Sequence, residues 1–499
     1  MKITSEDIQD EVVPKEKYDK LLQEHNYLKH QLSELQRLIF GSKSERFVPE
    51  TKDGSQLELF EAEKTEKEAE IQQVSYSRKK PETEKQTPIR IKISDHLPRE
   101  VEIIEPKVIE EGFRKIGEEV TEILEYTPAR IYVRKIVRPK YARTNNEGIV
   151  IAELPSLPIP KGNAGASLLA HIMVSKFVDH LPFYRQIQIF KRSKLYLNNS
   201  TLNGWFDKAT SLLELLYERL EANVLDCDYL QADESPIGVQ DSEKKGTLFS
   251  GYQWVYRSPV KGLVLFKYHP GREKKAPEKV LDSFTGTLQT DGYAGYQSMK
   301  TNGEIMHIAC MAHARRYFDK ALNDDKVNAE YVLTLIQQLY KIERKARERN
   351  ISYSLRKRYR NICAKPILLQ LEKWLLENRN NYIPKSPMGK AVNYTINLWS
   401  RLKAYIDDGR YEIDNNMIEN AIRPLALGRK NYLFAGSHKA AQKAAMMYSF
   451  FATCKVNNIE PLEWLTDVYN KIQEYKSSKL DELLPHNWMN PNNVLTKNL

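Results

Sequence analysis

Apolar positions near the N-terminus repeat at helical spacing. Tyr18, Leu21, His25, Leu28, Leu32, Leu35 and Ile39 stand three and four residues apart in alternation, which is a heptad seam. The pattern predicts a coiled coil over residues 1–48, with His25 as a polar defect able to fix register and Gly41 as its stop. About three heptads make a marginal helix alone. A partner helix, and so a homodimer or higher oligomer, is expected, with packing onto the same chain as the alternative. Residues 49–95 are rich in Glu, Lys and Gln, hold few large apolar side chains, and read as a flexible linker.

The period then shortens. Alternating apolar runs over residues 96–155 predict a small β module. Its stretch "ARIYVRKIVRPKYAR", Ala129 to Arg143, carries Arg130, Arg134, Lys135, Arg138 and Lys140 beside Tyr132 and Tyr141, with no acid among them. A strand with those charges on one face suits a phosphate backbone, and an ordinary solvated face is the bland alternative. Residues 156–222 return to helical spacing, with two amphipathic segments parted by "LNNS" and Ser200 or Thr201 as the N-cap of the second. That is either a DNA-binding helix-turn-helix or a plain helix pair.

From residue 223 to 470 the pattern is mixed. The strand-like runs are "CDYLQADESPIGV", "QWVYRS", "LVLFKYHP" and "GTLQTDGYAGY". A helical insertion follows over about 320–408, then "DNNMIENAIRPLALGRKNYLFAG" and a further helix, "AAQKAAMMYSFFATCKVNN". Strands first and helices inserted make a multidomain α/β layout with a C-terminal tail at 471–499.

Composition narrows the class. The 499 residues hold 76 Lys and Arg against 66 Asp and Glu, a net charge of +10 that favours a polyanionic partner such as nucleic acid. No apolar run approaches the roughly 20 residues of a membrane span, and the first residues lack the apolar segment of a signal peptide. Cys227, Cys310, Cys363 and Cys454 are scattered, as in a reducing cytoplasm.

Three acids stand where a carboxylate needs a partner. Asp233 and Asp291 each end an apolar run just before turn residues, and Glu419 lies on a helix ahead of Arg423, Arg429 and Lys430. Two strand acids and one helix acid are hard oxygen ligands suited to a pair of Mg²⁺ or Mn²⁺ ions. Such a pair can activate a nucleophile and stabilise a leaving oxygen in phosphoryl chemistry. Arg423, one turn from Glu419, is then placed to orient the acid, and Arg429 and Lys430 to neutralise DNA phosphates. A salt-bridged surface helix explains the cations but not the two strand acids.

The stretch "DNNMIENAIRPLALGRKNYLFAGS" resembles the signature of insertion-sequence-66 family transposases. "LIFGSKSERF", "IGEEVTEILEYTPARIYVRKIVRPKYA", "ADESPIGV", "QTDGYAGY", "CMAHARRYF" and "LLPHNW" resemble that family too, in its usual order and over essentially the whole chain. The resemblance implies a DDE transposase with a ribonuclease-H-like catalytic domain at 223–470. It implies Asp233, Asp291 and Glu419 as metal-binding and catalytic triad, and Glu234 as a neighbour outside the ligand set. Cys310 and His313 match a Cys-x-x-His found after the second acid in several DDE families. His313 is read as an active-site or DNA-contacting residue and Cys310 as its support.

One departure stands out. Where the family commonly has the four cysteines of a zinc module, this sequence has Val108, Glu111, Arg143 and Asn146. The expectation is therefore two Mg²⁺ or Mn²⁺ ions and no zinc. The function expected is metal-dependent cleavage at terminal inverted repeats and strand transfer into target DNA, in a bacterial cytoplasm and on the nucleoid when DNA-bound. The family also suggests accessory proteins from the same element, and nothing suggests a membrane partner. A DNA-binding descendant without turnover, and a nuclease that cuts but never joins, are the competing classes.

Overall fold

A twelve-residue strand organises the molecule. In the computed structural model, which describes residues 131–134, 136–137, 140–142, 149–151, 156–160, 162–240, 247–297 and 305–490, this strand runs from Tyr229 to Gln240. The coiled coil expected at 1–48 and the linker expected at 49–95 lie outside the described residues. So do Arg130, Lys135, Arg138, Val108, Glu111, Arg143 and Asn146.

The chain divides into two units, residues 52–154 and the remainder. In the smaller, β1 (Lys140–Ala142) pairs antiparallel with β2 (Ile149–Ile151), Tyr141 opposite Val150. The basic strand expected across Ala129 to Arg143 is thus corrected. Residues 131–134 and 136–137 have no regular structure, and Val133 is 91% exposed. Alternation alone does not make a strand when no apolar layer covers one face.

Among the described residues, four helices come first in the larger unit: α1 (Ala166–Phe177), α2 (Phe183–Arg192), α3 (Asn199–Ser211) and α4 (Glu214–Leu225). The first predicted segment is in fact two helices. Pro182 pushes the preceding residue out of helical geometry, and His180 turns with φ 59°. The expected N-cap also moves, to Asn198, and Ser200 and Thr201 fall in the first turn of α3.

The sheet consists of β3 (Tyr229–Gln240), β4 (Leu248–Ser258), β5 (Leu263–His269), β6 (Gly286–Thr290) and β7 (Ile305–Ala309). Between them lie the short α5 (Lys275–Val280) and α6 (Ala294–Gln297). The spatial order is β5-β4-β3-β6-β7, with β3–β4 and β4–β5 antiparallel and β3–β6 and β6–β7 parallel. Tyr229 to Ala232 is buried at every position, as a strand covered on both faces must be, while Ile237 and Val239 alternate with more open neighbours. The strand β7 goes beyond the sequence expectation, because "EIMHIA" is too short to stand out from its surroundings.

After β7 come the inserted helices α7 (Met311–Ala321), α8 (Lys326–Glu348), α9 (Tyr353–Asn378), α10 (Pro387–Asn397) and α11 (Trp399–Lys403). They bury a core of their own around Leu333, Ile336, Leu339, Leu371 and Trp399. The helices α12 (Asn416–Tyr432), α13 (His438–Val456) and α14 (Pro461–Lys471) complete the unit. The buried α13 covers the edge strand β5. Ser449 Oγ accepts from Phe266 N at 2.7 Å and Thr453 Oγ1 from Val264 N at 3.2 Å, so residues four apart on the helix serve residues two apart on the strand. An open edge that would otherwise invite pairing is closed this way. Among the described residues no helix is long and apolar enough to cross a membrane.

Candidate active site

The parallel pairing of β3 with β6 sets the two strand acids side by side. Leu230 lies opposite Leu288 and Gln231 opposite Gln289, so Asp233 and Asp291 occupy equivalent stations two residues further along neighbouring strands. Such strands run about 4.8 Å apart.

Each acid is fixed locally. Glu234 N donates to Asp233 Oδ1 at 2.8 Å. Asp291 leaves β6 into a turn at Gly292, whose φ of 90° suits glycine. There Tyr293 N donates to Asp291 Oδ1 at 2.8 Å, and the hydroxyl of Tyr394, from α10, donates to the Asp291 carbonyl at 2.6 Å.

The third acid arrives on α12. Buried Asp414 accepts from Asn416 N at 3.0 Å and Asn416 Nδ2 at 2.8 Å, which starts the helix one residue past Asn415. Glu419 then lies in the first turn, 34% exposed, with Arg316 Nη2 of α7 at 3.8 Å from its Oε1.

The start of α12 is held against the acid-bearing strands by side-chain amides. Gln289 Nε2 donates to Glu412 O at 2.7 Å, and Gln231 Nε2 to Asp414 O at 2.9 Å. Asn415 Nδ2 donates to Ala232 O at 3.1 Å, and Glu412 N donates to the Tyr229 hydroxyl at 3.0 Å. On the other side Arg356 reaches both Glu343 and Glu412, and Arg360 donates at 2.7 Å to the carbonyls of Tyr405, Asp408 and Tyr411. Segment 405–415 is therefore gripped between sheet and insertion.

The electrostatics follow from this crowding. Burial, then the carboxylates of Glu234, Asp291 and Glu419, push the Asp233 carboxyl up to about 8. Glu234 points to the other face of the strand. There Arg272 Nε meets its Oε1 at 2.8 Å, so its carboxylate is already engaged. Among the described residues no three Asp, Glu, His or Cys side chains are gathered into a ready metal cage. The three acids share one electrostatic neighbourhood without meeting at ligand distance. Their donor set fits a hard divalent cation: all-oxygen, anionic, and strained by its own like charge in a way that a cation relieves.

The cations are arranged differently from the expectation. Arg316, and not Arg423, forms the ion pair with Glu419, while Arg423 is exposed on α12. Arg429 Nη1 donates to Ser235 Oγ at 3.1 Å and to Pro236 O, which clips the end of α12 to β3. Lys430 is exposed, as is Arg134 in the smaller unit, where Lys140 lies on β1. Cys310 supports Asn415, whose N–H donates to its Sγ at 3.2 Å, and burial pushes the thiol well up. His313 follows in the first turn of α7, between Cys310 and Arg316, both of which touch the start of α12. The glutamines Gln231 and Gln289 are absent from the sequence expectation, although the repeated L-Q-x-D of "LQAD" and "LQTD" announces two equivalent strands.

The family matches place this basic α/β protein in the class of transposases. The chain is a member of the IS66 transposase family. The model of the transposase IS66 family matches residues 161–443, and that of the IS66 C-terminal element residues 449–486. Residues 27–101 match the model described as transposase C of IS166 homeodomain. Three proteins of Sinorhizobium fredii (strain NBRC 101917 / NGR234) are similar. Uncharacterized protein y4jD is 33% identical over 415 residues, 79% of this chain and 81% of that one. Uncharacterized proteins y4hP and y4qI are 31% and 30% identical, each over 92% of this chain and 88% of their own.

A fourth match corrects the expectation of no zinc. Residues 110–142 match the zinc-finger binding domain of transposase IS66, which points to zinc binding. That stretch contains neither cysteine nor histidine, so the thiolates and imidazoles of an ordinary zinc finger do not come from within it.

Proposed function

We propose that the chain is a DDE transposase in which Asp233, Asp291 and Glu419 together hold two Mg²⁺ or Mn²⁺ ions. The observation that carries this reading is geometric: the β3–β6 register sets Asp233 and Asp291 at equivalent stations, and Gln231 and Gln289 hold the start of α12, which bears Glu419, against them. The sheet order β5-β4-β3-β6-β7, with its antiparallel and parallel halves, supports reading residues 223–470 as a ribonuclease-H-like domain interrupted by α7 to α11. When bound, the two ions supply the activation of a water or a 3′-hydroxyl and the neutralisation of the leaving oxygen.

The chain's own residues do the rest. The Asx turn at Asp291 and the amide grip on segment 405–415 fix the acids before DNA arrives, so little reorganisation is left for the reaction. Arg316, beside the Glu419 carboxylate, keeps it aimed. Arg423 and Lys430, exposed on α12, and Arg134 and Lys140 in the smaller unit contact phosphates, together with Arg130, Lys135 and Arg138. Arg429 holds α12 against β3 for that contact, and His313 serves the site from the start of α7. The DNA is the element's own terminal inverted repeats and then a target duplex. The protein acts as a homodimer or higher oligomer, with accessory proteins of the same element as further partners.

The test is a reaction of the full chain with a duplex carrying the element's ends. In Mg²⁺, cleaved ends and joined products are expected, and in EDTA neither. Cutting without joining would make it a nuclease, and binding without cutting a DNA-binding descendant.

A further inference from the structure

The turn between α8 and α9 carries charge that the acidic site does not use. Lys341, Arg344, Lys345 and Arg349 at the end of α8 are exposed, and so are Lys357 and Arg358 near the start of α9. Within residues 341–358 Glu348 is the one exposed acid. Glu343 is buried, and its 2.6 Å contact with Arg356 brings the two helix ends to one level, so the six cations share one tip.

Ordinary surface chemistry does not account for this arrangement. Elsewhere the inserted helices carry mixed signs: Lys326 pairs with Glu330 at 3.7 Å, Lys373 with Glu377 at 3.9 Å and Lys403 of α11 with Glu372 at 3.1 Å. None of the six tip cations is in an ion pair among the described residues. The field of Lys357 reaches Asp408, but that carboxylate is already paired with Arg410 at 2.8 Å. A helix dipole favours cations at the end of α8, yet it opposes those that begin α9, whose first turn holds no acid. The cations are kept close despite mutual repulsion, which a polyanion would relieve. Beside them lies a hollow of about 190 Å³, lined by Arg347, Tyr353 and Arg356 among others.

We propose that the α8–α9 tip is a docking surface for the phosphate backbone of duplex DNA, separate from the cations of α12. The occupant follows from the single sign of the tip and from membership in a DNA-handling family. The proposal does not rest on the metal reading, because it concerns binding without chemistry.

The experiment measures binding of the full chain to a labelled duplex in EDTA across a salt series. Wild type is compared with Arg344→Glu/Lys345→Glu/Lys357→Glu/Arg358→Glu. The variant should bind about tenfold or more weakly, with a slope of log K against log salt flatter by roughly 0.9 for each phosphate it no longer neutralises. Its melting temperature should hold or rise, since like charges are relieved. Unchanged affinity and slope would overturn the proposal. So would unchanged DNA binding combined with abolished binding to polyglutamate, which would make the tip a seat for an acidic protein. Should the variant fail to fold, acetylation of Lys345 and Lys357 in the wild type decides. DNA should protect both, and equal labelling with and without DNA overturns the assignment. A Glu419→Gln protein that binds DNA normally but does not cleave separates this surface from the active site.

Discussion

Gln231 Nε2 donates to Gln289 Oε1 at 2.9 Å, across the two parallel strands that carry Asp233 and Asp291. The same Gln231 amide donates to Asp414 O, and the Gln289 amide to Glu412 O. One buried pair of glutamines thus sets the spacing of the strand acids and the approach of the helix that bears Glu419.

Replacing Gln231 with Leu should leave Asp414 O unpaired in the interior, at about 1–3 kcal/mol for the buried group, while Gln289 Oε1 keeps its bond from the Tyr229 hydroxyl at 2.6 Å. Strand cleavage should fall further than this instability explains, while DNA affinity in EDTA stays at the wild-type value. Parallel measurement of thermal stability, binding and cleavage rate checks it. Loss of cleavage only in proportion to the folded fraction would reduce Gln231 to a structural role.

This pair also marks where the sequence stops being readable. Asp233, Asp291 and Glu419 stand out because each acid follows or enters an apolar pattern. Their convergence needs the parallel register of β3 with β6, and the intervening β7 and inserted helices hide it. Strands long enough to alternate, and an amphipathic helix such as α8, are legible from periodicity. Arg429 misleads because a cation at a helix exit looks free for phosphate, whereas folding brings Ser235 and Pro236 beneath it. The partner of Glu419 is Arg316, 103 residues earlier, which helical spacing cannot find.

The buried ion cluster makes a second prediction. Burial pushes Glu343 up, but the guanidinium groups of Arg360 and Arg356 outweigh it and hold the carboxyl below its usual range. A depressed folded value means stability present above the unfolded pKa and lost as pH falls through the folded one. Glu343→Gln should therefore destabilise the protein by about 3–5 kcal/mol at neutral pH. The gap from wild type should close as the pH is taken below 4.5, the ordinary value for this group. Denaturant melts at pH 7 and at acid pH test this, and a gap independent of pH would refute it.

Lys176 is half-buried among aromatic rings, its Nζ 3.8 Å from the Phe183 ring centre and 5.7 Å from that of Tyr432. Burial pushes it down from 10.5 to about 8. Between those values the unfolded chain binds the extra proton, so wild-type stability should rise with pH through that window. Lys176→Met should lack that rise. Its advantage over wild type should be largest below pH 8 and shrink above it, as read from melting temperatures of the two proteins across the range.

The central claim is that Asp233, Asp291 and Glu419 act together on DNA through divalent metal. The most direct measurement is cleavage of an end-bearing duplex by Glu419→Gln in Mg²⁺, beside its DNA affinity in EDTA. Wild-type affinity with cleavage lost is the expected result. Nicking at the wild-type rate would contradict it.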